Sequence, residues 1–157
     1  MIRIEFNDQD VNAALSELQM LMQDMTPVME RIADTLRDAT KDRFDAQTSP
    51  EGTPWAKKKQ STLDRQGRGK RAVDTRPLHY SLDLRSQIFA ASGPDFAEVG
   101  SNRDYAAMMQ FGGQKEKFPH LWGDIPARPF LGISEDDRAA IIRIVGEWFE
   151  RAAGGSA

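Results

Sequence analysis

The chain contains no cysteine, so it has no disulfide, no thiolate nucleophile and no cysteine-ligated zinc site. A reducing compartment is compatible with that lack but not demanded by it. Histidine is nearly as scarce: His79 and His120 stand 41 positions apart, and neither falls in an HExxH or similar ligand spacing. No metal site and no cofactor is therefore expected. Apolar runs are short as well. None approaches the roughly 18 residues of a membrane span. The opening MIRIEFNDQD has no long apolar stretch after its early arginine, so a signal peptide is not expected. Nor does one sign of charge dominate. Lys+Arg number 21 and Asp+Glu 24, a net charge of −3, too balanced for a generic nucleic-acid coat or a disordered acidic tail. What is present is 157 residues, 39% of them hydrophobic, enough for one modest core but not two. A single domain over 1–152, with 153–157 as a flexible tail, is the expectation.

Ile2, Ile4 and Phe6 alternate with Arg3 and Glu5, the period-2 pattern of a half-buried strand. Asn7 or Asp8 can cap a following helix, because a short side-chain oxygen accepts from the free N–H groups of its first turn. Val11, Leu15, Leu18, Met22 and Met25 recur at spacings of three and four. Pro27 breaks or kinks this run, since it lacks an N–H, and Thr26 before it is a candidate cap with Pro27 at the first helical position. Val28, Ile32, Leu36 and Phe44 carry the stripe on to about residue 46. Two consecutive helices, or one kinked helix, packed against a sheet account for the pattern. Farther on, a helical turn around residues 81–84, a strand near 87–91, the turn Ser92-Gly93-Pro94-Asp95 and a return strand over 96–99 predict a hairpin. A short helix through Tyr105 and Met108 is ended by Gly112-Gly113. Ser134 with Asp137 resembles a capping box, and Ile141, Ile144, Val145, Trp148 and Phe149 make the stripe of a closing helix. The sum is an α+β fold: a small, mainly antiparallel sheet, two N-terminal helices, a C-terminal helix and a long basic loop.

That loop spans 47–77, is rich in turn formers and shows little periodicity. Between Trp55 and Pro77 it holds Lys57, Lys58, Lys59, Arg65, Arg68, Lys70, Arg71 and Arg76 against Asp64 and Asp74, a local balance of +6, while the remainder carries −9. A structureless loop of this length is commonly functional or disordered. Three readings stay open: a solvated loop, a docking arm for an acidic surface, and a patch that neutralises DNA phosphates. Trp55 is its one aromatic, too little for a base-stacking platform.

Catalytic signals are poor. His79, Ser81 and Asp83 would share a face of a strand, yet a triad is a spatial constellation that sequence proximity does not identify. Gly67-Arg68-Gly69-Lys70 faintly resembles a phosphate loop, but Arg71 stands where a Walker motif needs Ser or Thr, and neither flank fits. Asp136-Asp137 is explained by a helix N-terminus, which favours negative charge.

Two segments are more specific. Val99-Gly100-Ser101-Asn102 leads into Tyr105-Ala106-Ala107-Met108-Met109-Gln110-Phe111-Gly112-Gly113, and Ile125-Pro126-Ala127-Arg128-Pro129-Phe130-Leu131-Gly132 follows. Two prolines flanking Ala-Arg bias that backbone toward extended forms, with Phe130 and Leu131 anchored on the core and Arg128 projecting. Together with Pro50, Gly52 and Trp55, and with Leu78, Ser81, Leu84, Arg85 and Ser86, they resemble the phage virion morphogenesis family, the Mu G-like tail-completion proteins. The resemblance covers roughly residues 1–150. Met109 occupies a position usually held by His, and Leu82 one often held by Gly. The resemblance implies a non-enzymatic structural protein of a tailed phage, assembled in the host cytoplasm and located in the virion at the neck or top of the tail. It would complete or terminate the tail and help join it to the head. Implied partners are further copies in a ring, often a hexamer, the tail tube and connector proteins, with contact to packaged duplex DNA and none to membrane. Tyr105, Gln110, Phe111 and the 125–131 segment would hold the loop architecture. The alternative is a DNA-binding module acting through 57–76.

Overall fold

The computed structural model describes residues 9–154, so the strand expected at Ile2, Ile4 and Phe6, its capping residues Asn7 and Asp8, and the tail beyond residue 154 lie outside the described residues. The described elements are α1 (Gln9–Gln23), α2 (Thr26–Ala46), α3 (Gln60–Gly67), α4 (Asp83–Ser86), β1 (Ile88–Ser92), β2 (Ala97–Ser101), α5 (Ala106–Phe111) and α6 (Glu135–Gly154). An α+β fold with a two-stranded antiparallel sheet results.

Pro27 separates α1 from α2 as its missing N–H requires. The cap lies one residue earlier than expected: Met25 precedes α2, and the Asp24 carboxylate accepts the Thr26 N–H at 3.0 Å. Met25 also donates its N–H to Pro94 O (3.2 Å), which ties the break to the hairpin turn. That hairpin pairs Ile88 with Ser101 through to Ser92 with Ala97. Helix α2 packs on both of its strands and on α6.

Two apolar clusters result. Val28, Ile32 and Ile144 join α2 to α6, with Met25, Met29, Leu36, Ile141, Val145 and Trp148 packed around them. Phe44, Trp55, Leu84, Ile88, Ala106 and Phe130 form the second. Phe44 meets Trp55 edge-on at 5.3 Å and Phe130 at 5.4 Å between ring centroids. Such aromatic pairs contribute about 0.5–1.5 kcal/mol beyond their buried area.

The expectation of sheet packing holds for α2, whereas among the described residues the main packing partner of α1 is another helix. Helix α1 packs on α6, and Leu15, Met20 and Met22 are left exposed. The basic segment is also more ordered than its composition predicts, because α3 forms inside it. At the start of α6, Ser134 and Asp137 make the reciprocal cap: Asp137 N–H donates to Ser134 Oγ (3.1 Å) and Ser134 N–H to Asp137 Oδ2 (2.8 Å). The same carboxylate is buried against Arg43 of α2. Arg43 donates further to Phe130 O (3.0 Å) and Gly132 O (2.9 Å), so its charge is surrounded by acceptors.

Candidate functional site

Trp55 is delivered by a tight turn after α2, where Thr48 bridges Pro54 and the Trp55 N–H donates to Gln47 O at 2.8 Å. Its ring is buried, and Nε1 donates to Pro129 O at 2.8 Å. The residue the sequence placed in a basic loop is therefore a core residue that fastens the loop to the Pro126–Phe130 segment.

Arg128 corrects a second expectation. It does not project: it is 8% exposed, donating Nε to Ala56 O (2.8 Å) and Nη2 to Lys57 O (3.1 Å). Burial pushes its guanidinium below the ordinary arginine value, because desolvation disfavours the charged form. The carbonyl oxygens it holds belong to residues more than 70 positions away, so it fixes the backbone from which Lys57, Lys58 and Lys59 depart.

Gln110 secures the other side of this segment. Its Oε1 accepts the N–H groups of Phe130 and Leu131, both at 3.0 Å, and its Nε2 donates to Leu131 O at 2.9 Å. Gly112 has φ +72°, and a Cβ there would stand 2.7 Å from Ala127 N, so both backbone geometry and close approach require glycine. Gly113 and Ile125 exchange N–H···O bonds of 2.9 and 2.8 Å. Phe130 is fully buried, whereas Pro126 and Pro129 are half-buried. Tyr105 and Phe111 are its more exposed neighbours, and Phe111 lines a groove with Ile125 and Pro126. Tyr105 lines a shallow groove with Lys58 and Tyr80, and Phe111 is 79% exposed.

The eight basic residues divide into two groups. Lys58 donates to Asp74 O (2.7 Å) and lies 5.6 Å from the Tyr80 ring centroid, and burial lowers its pKa. Lys59 donates to Asp124 O at 2.8 Å. Arg76 grips Asp74 through Nε (3.1 Å) and Nη2 (2.9 Å), and His79 Nδ1 meets the same carboxylate at 2.7 Å. The Arg76 guanidinium beside it holds the Asp74 carboxyl far below the usual carboxylate range. Lys57, Arg65, Arg68, Lys70 and Arg71 face solvent, Arg71 within 5.9 Å of the Tyr80 ring centroid.

Sequence reasoning missed one convergence. An open groove of about 650 Å³ brings Lys59, Ser61, Arg65 and Arg68 against Leu121 and Trp122, and Trp122 is 99% exposed. An adjoining groove of about 550 Å³ continues past Phe111, Lys117 and Phe118. Only the fold joins α3 to a loop more than 50 residues later, so no local spacing signals the pairing.

The catalytic patterns disperse. His79 pairs with Asp74, not Asp83, and Ser81 Oγ accepts the Asp83 N–H at 3.3 Å. Gly67 to Lys70 lies at the C-terminal end of α3, where carbonyl groups face outward, the reverse of a phosphate-binding helix start. Among the described residues no group of three His, Asp or Glu could hold a metal ion, and no helix is long and apolar enough to cross a membrane.

Comparisons with known proteins bear out the motif resemblance. The phage virion morphogenesis family matches residues 6–150. The "Mu-like prophage FluMu G protein 2" of Haemophilus influenzae is 32% identical over 151 residues, covering 96% of this chain and 97% of that protein. The "Putative capsid assembly protein G" of Escherichia phage Mu is 32% identical over 127 residues, covering 80% and 79%. No solved structure matches the chain significantly. The chain belongs to the phage virion morphogenesis family, and its role is a structural one in building the virion.

Proposed function

We propose that the chain completes or terminates the phage tail and joins it to the DNA-filled head, acting at the neck or top of the tail without catalysis. It works as a ring of identical copies, with a hexamer matching a six-fold tail, between tail-tube and connector neighbours. The observation that carries this reading is what the motif residues do. Trp55, Gln110, Arg128 and Phe130 are spent on joining backbone segments to one another. They hold a basic surface in place. Immunogold label against the chain on intact particles is expected at the head–tail junction. Label confined to the capsid shell or the distal tail would contradict the placement.

A second reading, contact with packaged duplex DNA, draws on the outward-facing Lys57, Arg65, Arg68, Lys70 and Arg71. Phosphate neutralisation of this kind is sequence-independent and weakens steeply with salt. Tight duplex binding by the isolated monomer, abolished by reversing these charges, would put it first.

A further inference from the structure

We infer that α1 of one copy docks on the groove between α3 and the Phe111–Trp122 loop of the next copy, an inference that rests on the ring reading above. The two surfaces are complementary in charge and in apolar content. Helix α1 carries the exposed Glu17 and no Lys or Arg, and the exposed Asp24 follows it. It contacts α6 along one side and leaves Leu15, Met20 and Met22 exposed. Methionine is flexible and polarisable, and adapts well to a partner surface.

The groove offers the converse. Ser61 and Arg65 stand at i and i+4 on one face of α3, and Arg68, just past the end of the helix, lines the groove with them. Lys59 and Lys117 stand where it continues toward Phe111 and Phe118. Its two carboxylates have local partners: Asp64 accepts from Gln60 Nε2 (2.8 Å), and Asp124 Oδ1 accepts the Lys115 N–H (2.8 Å). A tryptophan exposed over its whole surface is uncommon in a finished assembly. Trp and Arg are the residue types that dominate binding hot spots.

One molecule thus carries both halves of the contact on different elements. A contact between unlike surfaces repeats from copy to copy and closes into a ring where the rotation permits. The polarity of charge then has a structural use: the basic groove of each subunit meets the acidic helix of its neighbour.

The absence of cysteine makes the test direct. A chain carrying Gln19→Cys and Ser61→Cys, both at exposed positions, is oxidised as purified protein and within particles. The expected result is a ladder of disulfide-linked oligomers ending at one fixed size. Adding Trp122→Ser with Arg65→Glu should lower the yield at least tenfold while leaving the melting temperature unchanged, because both side chains are exposed. A product that stops at the dimer, linkage to a different protein alone, or no linkage in either sample would overturn the inference. A ladder from a chain whose label lies away from the head–tail junction would keep the interface and reject the neck placement.

Discussion

Leu82 stands in the left-handed region, with φ +59° and ψ 8°, immediately before α4. An L residue there costs roughly 1–2 kcal/mol, and glycine avoids it. Leu82→Gly is expected to raise stability by about 0.5–1 kcal/mol after glycine's greater loss of chain entropy is offset, and a melting curve moved downward would reject the strain. Phe130 is the opposite case: it is 0% exposed and packed on Phe44. Phe130→Ala should cost about 3–5 kcal/mol in urea unfolding, and an unchanged midpoint would deny its place in the core. At Leu82 the sequence showed only a departure from glycine, which left the local turn open, whereas Phe130 was legible as an apolar anchor directly after Pro129. Arg128 was not. A guanidinium turns inward only where carbonyl oxygens are waiting, and those of Ala56 and Lys57 arrive from a distant stretch of chain.

Among the elements, α2 and α6 follow from local rules, since apolar spacing, Pro27 and the Ser134–Asp137 cap are all written into short windows. What joins them is not local. Arg43 and Asp137 form a buried pair across the two helices, and removing one partner leaves the other charge uncompensated. Arg43→Met should therefore cost about 3–5 kcal/mol, with part recovered on adding Asp137→Asn. A single variant as stable as the parent would show that the pair contributes nothing. Helix α3 escaped notice because it buries no residue fully and so has no apolar stripe. It is held from outside, by Lys58 and Lys59 on distant carbonyls and by Gln66 Oε1, which accepts the Asp74 N–H.

Asp74 is the hub of that segment, and its depressed pKa has a definite sign. The folded state favours the carboxylate. Its contribution is present above the ordinary value of 3.8 and is lost as pH falls below that toward the lower folded value. Asp74→Asn should lower the melting temperature at neutral pH and flatten its decline below about pH 4. Parallel acid profiles for the two proteins would remove Asp74 from that role.

At the scale of the whole molecule, a +6 segment on a −9 remainder was visible in the sequence, but its order and its aromatic companions were not. Composition records how many charges a stretch contains. Which of them are tied down is decided by contacts such as Arg76 with Asp74, and which stand beside Trp122 is decided by the fold. The resulting molecule has a well-anchored scaffold and two unlike exposed faces, which the neck role proposed above would use. The central claim is most directly tested by electron microscopy of a lysate in which this coding sequence is disrupted. Filled heads and unattached tails are predicted, with tail lengths showing whether termination also failed. Intact, joined particles would contradict the account.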